Sequence, residues 1–125
     1  MFQILDFTIP CKNDPEPENV NKVVIDDQLK SEYRGGITGL TIWTPNYEHM
    51  RQIEIELKID GEEVFPEKFP AELFSANQFR NTTPLELKFP AESKIEGVIT
   101  NNNEYADLKG ESVNITLIFN VKLKE

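Results

Sequence analysis

Carboxylates are the most numerous side chains in this sequence that could do chemistry. The segment from Gln52 to Pro70 includes Glu54, Glu56, Glu62 and Glu63, which offer several carboxylate pairs. A suitably spaced pair could supply the two acids of a glycosidase. Glu54 and Glu56, however, alternate with apolar residues, which is typical of the solvated face of a β-strand. We therefore expect these acids to be surface residues and predict that the protein is not an enzyme.

Histidine and cysteine, which serve many catalytic and metal-binding roles, each occur once. His49 has no second histidine and no neighbouring cysteine with which to complete a zinc site or a Ser-His-Asp triad. Cys11 cannot form an internal disulfide, and no evident base lies beside it to activate its thiol. The sequence also lacks GxSxG, HExxH and glycine-rich phosphate-binding motifs. We predict no catalytic residues, no metal ligands and no bound cofactor.

The charge of the chain excludes two classes of partner. With 22 acidic and 13 basic residues the net charge is -9, and the basic residues are scattered along the sequence. Nucleic acids and anionic membranes both require clustered positive charge, so we expect neither as a partner. No apolar run approaches the roughly 18 residues that span a membrane. The N-terminal residues lack the basic start of a secretory signal, so we expect no signal peptide.

The acids of the 52–70 segment are positioned by a predicted β-hairpin. Apolar residues occupy every second position from Ile53 to Ile59, so one side of this strand faces the core. Asp60-Gly61 is a pair that readily takes the positive φ angles of a two-residue turn. The return strand from Glu62 to Phe65 is expected to end at Pro66, because proline has no ladder donor. A long connection that crosses between sheets is expected to begin there.

Alternating or β-branched residues predict the remaining strands at Phe2–Ile9, Val20–Ile25, Ile37–Thr44, Leu85–Phe89, Ile95–Thr100 and Val113–Leu123. Val23-Val24-Ile25 is dense enough in β-branched side chains to suggest cover on both faces. Gly39 leaves room in its strand for a bulge or for a large neighbouring side chain. The last strand is the longest, so it should lie centrally in its sheet.

About eight strands without a convincing helix predict an all-β fold, an antiparallel two-sheet sandwich. At 125 residues the chain fits one β-sandwich domain, residues 1–125. A single jelly roll is favoured over an immunoglobulin-like topology. The reasons are the long proline-containing crossover between the hairpin and Leu85, and the lack of the Cys…Trp…Cys signature of immunoglobulin domains.

Three aromatic residues in or beside predicted loops could form a ligand-binding surface. Trp43 and Tyr47 lie at the two ends of one loop, and Tyr105 lies in the loop before the last strand. Aromatic rings suit the apolar face of a sugar, so Trp43, Tyr47 and Tyr105 are the candidate residues of a carbohydrate- or receptor-binding module. Core packing of Trp43 and loop anchoring by Tyr47 are the competing interpretation.

Two short stretches suggest a family. The residues from Ile59 to Pro66 (IDGEEVFP), with Phe69 after them and Ile37 to Leu40 (ITGL) upstream, resemble small β-sandwich structural proteins of virions. The similarity is greatest to jelly-roll proteins of phages that infect Bacteroidetes-like hosts. It implies an assembly role as a capsid vertex (penton), minor capsid or head-decoration subunit, and it transfers no catalytic residue. The implied partners are other virion proteins or copies of the chain in a homo-oligomer. The implied location is the virion, after synthesis in the host cytoplasm.

Overall fold

The structure, a computed structural model, describes residues 1–16, 18–74 and 89–124. Seven strands form within this part of the chain: β1 (Phe2–Ile9), β2 (Lys22–Gln28), β3 (Gly36–Trp43), β4 (Ile53–Ile59), β5 (Glu62–Pro70), β6 (Lys94–Asn101) and β7 (Val113–Lys122). Two short 3-10 helices, Tyr47–Gln52 and Ala71–Phe74, flank the hairpin of β4 and β5. The predicted strand Leu85–Phe89 lies outside the described residues except for Phe89, which bridges Ile37 of β3. The all-β prediction is confirmed.

The strands form two antiparallel sheets whose pairing is nested. One sheet has the order β1-β7-β3 and the other has the order β2-β6-β4-β5. The first strand pairs with the last, β2 pairs with β6, and β4 pairs with β5 across the hairpin turn. The nested pairs β1–β7 and β2–β6 lie in different sheets, as successive pairs do in a jelly roll, and β4–β5 lies in the same sheet as β2–β6. This agrees with the predicted two-sheet sandwich.

The core lies between the two sheets and follows the period-two pattern of the sequence. Every second side chain of β7 is buried, from Val113 to Val121, and the same holds for β4 from Ile53 to Ile59. β7 lies between β1 and β3, so the prediction that the last strand is central is confirmed. Each inner row removes apolar side chains from water, which is the main stabilising term of such a sandwich.

The hairpin turn forms as predicted and is held by side-chain hydrogen bonds. Asp60 and Gly61 both have positive φ angles, 52° and 77°, as a two-residue turn of this kind requires. The Asp60 carboxylate accepts hydrogen bonds from the Lys94 backbone N–H at 2.8 Å and from Ser93 Oγ at 2.9 Å. These bonds fix the turn to the start of β6, a long-range contact that could not be predicted from the local sequence.

The predicted end of the return strand at Pro66 is wrong. β5 continues to Pro70, with irregular register opposite Ile55 and Leu57 of β4. Since β5 is the last strand in the order of its sheet, a proline without a donor is tolerated there. The rings of Phe65 and Phe69 stack with their centroids 4.7 Å apart. The crossover to the other sheet therefore starts later than expected.

Two further predictions concern β2 and β3; the structure contradicts the first and confirms the second. The predicted cover of Val23-Val24-Ile25 on both faces is wrong, because Val24 is 72% exposed on the outer face while Ile25 is buried. β-Branched residues favour strands without specifying which face is covered. The predicted bulge in β3 is confirmed, since the register with β7 shifts between Ile37 and Gly39.

Candidate functional site

The outer face of the four-stranded sheet is rich in charge. Lys22, Asp26, Glu54, Glu56, Lys58 and Glu96 occupy outward positions there. A depression of about 610 Å³ crosses this face, with Val24, Val98 and Thr100 among its lining residues. Glu54 and Glu56 lie on it, half-buried, and Glu54 Oε1 accepts a hydrogen bond from Asn102 Nδ2 at 3.0 Å. The two acids are outward-facing, as the alternation predicts.

The outer face of the three-stranded sheet is different, because it carries several exposed apolar side chains among its polar ones. Phe2 is 56% exposed, Ile4 is 58% exposed and Trp43 is 42% exposed. The strand register places Ile4 beside Ile118 of the central strand, and Trp43 lies one row further along. We call the surface formed by Phe2, Ile4, Ile118 and Trp43 the apolar face. Exposed apolar surface that is contiguous in this way commonly marks a site of protein association.

The apolar face carries little charge. Among the described strand positions that point outward from this sheet, Asp6 and Lys122 are the charged ones. Asp6 Oδ1 accepts a hydrogen bond from Thr116 Oγ1 at 2.9 Å, and both residues flank the apolar row at the Trp43 end. These described strand positions therefore contribute no net charge to the face.

Of the three aromatic residues predicted for ligand binding, one is on the apolar face. Trp43 is the last residue of β3 and points outward. Tyr47 opens the first 3-10 helix and packs, partly buried, against the hydrophobic core. The Tyr105 ring lies against Gly110, where an added Cβ would come within 2.9 Å of its hydroxyl. Among the described residues, Phe65 and Phe69 form the one pair of stacked aromatic rings, so Trp43, Tyr47 and Tyr105 do not stack on one another.

Phe2, Ile4 and Ile118 were not predicted as functional residues, although the sequence contains a signal for them. β1 has apolar residues on both of its sides, with Phe2 and Ile4 opposite Leu5 and Ile9. Ile118 likewise occupies an otherwise polar position of β7. An apolar residue on the polar side of an alternating strand is a mark of a second covered face.

A buried amide network closes one end of the sandwich. Asn101 is 0% exposed; its Nδ2 donates to the Ile9 carbonyl at 3.1 Å, and its Oδ1 accepts from the backbone N–H and side-chain Nδ2 of Asn103. Asn103 Nδ2 also donates to the carbonyl of His49 at 2.9 Å. The network joins β1, β6 and the first 3-10 helix. No buried side-chain nitrogen or oxygen of Asn101 or Asn103 lacks a hydrogen-bond partner, so we interpret the network as structural.

Cys11 and His49 lie beside this network and form no reactive set. The Cys11 thiol donates to the Glu111 carbonyl at 3.0 Å, and burial raises the pKa of this thiol above its ordinary value. His49 Nε2 is 3.2 Å from Asn46 Nδ2. Within residues 1–16, 18–74 and 89–124, no group of three or more His, Cys, Asp or Glu side chains could hold a metal ion.

A scan against protein-family models and searches of curated proteins and of solved structures find no match for this chain. None of the helices in the described part of the chain is long and apolar enough to cross a membrane. The site must therefore be interpreted from its own geometry, and the apolar face is its most distinctive feature.

Proposed function

We propose that this protein is a structural subunit that assembles through protein–protein contacts. We propose further that the assembly is a virion, in which the chain serves as a capsid vertex, minor capsid or head-decoration subunit. The observation that carries the assembly role is the apolar face, where Phe2, Ile4 and Trp43 remain between 42% and 58% exposed. Burial against a neighbouring subunit would remove these side chains from water.

The virion part of the proposal is supported by the resemblance of the Ile59–Pro66 and Ile37–Leu40 stretches to phage structural proteins. The jelly-roll pairing of the strands is compatible with it, since this architecture is common in viral capsids. Lectins and other proteins share the architecture, so the fold alone does not select the virion.

The direct test is the composition of particles. Particles purified from the chain's own host on a density gradient should contain this chain, and quantitative mass spectrometry should give it a fixed ratio to the major capsid protein. A variant with Ile4→Asp on the apolar face should be made at normal level but should be depleted from particles. Val24→Asp is the matched control, because Val24 is an exposed apolar residue on the opposite sheet, 72% exposed against 58% for Ile4. A chain missing from every particle fraction would refute the virion role.

A carbohydrate- or receptor-binding module is the second candidate function. The observation that favours it is the exposure of Trp43, at 42%, because an accessible indole ring can stack on a sugar. On a glycan array, Trp43→Ala should then abolish binding, while Phe2→Ala on the same face should not. Equal binding by both variants and the unmodified chain would refute this candidate.

A further inference from the structure

The apolar face has a charge arrangement that matches a second copy of the same chain. The two charged residues at its described strand positions, Asp6 and Lys122, lie at opposite ends of the apolar row. From Thr116, which pairs with Asp6, to Lys122 the central strand covers roughly 20 Å at about 3.4 Å per residue. Phe2, Ile4 and Ile118 lie between these ends. The described part of the face is therefore neutral, with an acid at one end and a base at the other.

Two copies could stack this face in two symmetric ways, and charge distinguishes them. If the two-fold axis runs parallel to the strands, each Lys122 faces its own symmetry mate, and two like charges meet. If the axis lies in the plane of the face but perpendicular to the strands, the strands of the two copies run in opposite directions. Asp6 of each copy then lies level with Lys122 of the other and about one strand spacing, roughly 4.8 Å, to its side, because Asp6 is on β1 and Lys122 is on the adjacent β7. Like charges disfavour the first arrangement, and opposite charges favour the second.

The second arrangement also brings one pair of apolar residues together. When Asp6 is opposite Lys122, Ile4 of one copy lies over Phe2 of the other, because the register spaces these residues evenly along β1. Ile118 then lies over the Asn120 row of the second copy. The contact is isologous, so each of these pairs occurs twice. Aligned sheets pack at about 10 Å with a small rotation, which keeps the pairs within reach of one another.

We propose that the apolar face is a homodimer interface in which two copies stack with antiparallel strands and pair Asp6 with Lys122 reciprocally. This inference rests on the proposed assembly function and names the partner as a second copy of the chain. A heterologous partner would need no such placement of opposite charges at the two ends of a neutral face.

The size of the face sets the expected strength of the dimer. The eight residues of β1 and the width of the two neighbouring strands β1 and β7, about 4.8 Å apart, give an open contact surface of roughly 27 by 10 Å, since Gly39 and Thr41 on the outward side of β3 are buried. This surface is smaller than the roughly 800 Å² per partner of a typical stable complex. We therefore expect a dissociation constant in the micromolar range, so dimerisation should depend on concentration.

Sedimentation velocity on the purified chain tests the dimer directly. Between about 1 and 200 µM the unmodified chain should shift from monomer to dimer. Asp6→Lys and Lys122→Glu should each raise the dissociation constant about tenfold, because each removes two attractive pairs and creates two repulsive ones. The double variant Asp6→Lys/Lys122→Glu restores opposite charges and should return the constant to within about threefold of the original.

Two controls separate a weakened interface from a changed net charge and from a damaged fold. Val24→Asp adds a charge to an exposed apolar position of the opposite sheet and should leave the dissociation constant unchanged. Thermal unfolding of every variant, followed by circular dichroism, should show that each is folded at the temperature of the experiment. If Asp6→Lys unfolds because its hydrogen bond with Thr116 is lost, Lys122→Glu and Ile4→Asp test the same interface and leave that hydrogen bond in place.

The outcomes separate the dimer from the proposed function. A chain that stays monomeric at 200 µM, or a double variant no better than the single ones, overturns the dimer. So does a partner of different sequence that binds the apolar face while the chain stays monomeric. None of these results bears on whether purified particles contain the chain. Conversely, a dimer that responds to the charge exchange but is missing from all particles supports this inference and refutes the virion role.

Discussion

Asn101→Ala is the substitution that should most clearly expose what holds one end of this sandwich together. The Asn101 side chain is 0% exposed and makes three hydrogen bonds with nitrogen or oxygen partners: one to the Ile9 carbonyl and two from Asn103. Alanine would leave these partner groups buried without water or another protein group to replace the amide. Each unpaired buried group costs about 1–3 kcal/mol.

The expected loss is about 3–4 kcal/mol of the free energy of unfolding. This is a large fraction of the roughly 5–15 kcal/mol that stabilises a typical domain. The midpoint of thermal unfolding should fall by about 10 °C or more for a chain of this size. Urea denaturation followed by the fluorescence of Trp43, the single tryptophan, measures the same loss at constant temperature.

The matched control is Asn102→Ala, one residue further along. Asn102 is half-buried, and its side chain donates one hydrogen bond, to Glu54 Oε1 at 3.0 Å. Its replacement should cost no more than about 1 kcal/mol. If Asn101→Ala and Asn102→Ala lower stability equally, the buried network is not the reason that this end of the sandwich is ordered.

Burial also determines three further expected outcomes. Thr41→Val should raise the free energy of unfolding by about 1 kcal/mol, because the buried Oγ1 of Thr41 has no hydrogen-bond partner in the described part of the chain. Thr116→Val is the control: it removes a hydroxyl that is hydrogen-bonded to Asp6, so it should not stabilise the fold. If urea denaturation shows Thr116→Val to be more stable than Thr41→Val, this reasoning is wrong. Leu117→Asp should abolish cooperative unfolding, because it places an unpaired charge at a position 0% exposed in the central strand; a native-like thermal transition would count against the assigned core. Burial raises the pKa of the Cys11 thiol in the folded state above its ordinary pKa of 9.0. The contribution of the buried thiol to the free energy of unfolding is therefore complete below pH 9.0 and is lost as the pH rises through the folded-state pKa. Urea denaturation should show that the free energy of unfolding falls less between about pH 8 and pH 10 in Cys11→Ala than in the unmodified chain. Equal declines in the two proteins would show that ionisation of Cys11 is not the cause.

The hairpin is the part of the fold that could be predicted most fully from the sequence. Its turn conformation depends on two adjacent residues, Asp60 and Gly61, and its inner row depends on alternation within one strand. Both are local properties. The extension of β5 through Pro66 could not be predicted in the same way, because a proline is tolerated only if its strand has no neighbour on that side. That condition is set by the sheet order.

The candidate site was harder to predict than the fold. Trp43, Tyr47 and Tyr105 are chemically suited to one binding surface, but the fold places Trp43 on an outer sheet face and Tyr47 against the core. Alternation places Phe2 and Ile4 on the less apolar side of β1, and their exposure becomes informative only beside Ile118 on the adjacent strand. Adjacency between β1 and β7 joins residues more than a hundred positions apart.

The sequence by itself determined the all-β class, the inner faces of β4 and β7, the turn at Asp60-Gly61 and the central place of the last strand. These follow from a period of two residues and from φ angles, which act over a few neighbouring positions. Only the tertiary structure decided which outer face stays charged and which becomes apolar, and which asparagine of Asn101, Asn102 and Asn103 is fully enclosed. Those outcomes depend on pairing between distant strands, because alternation fixes the two sides of a strand but not the neighbours that each side meets.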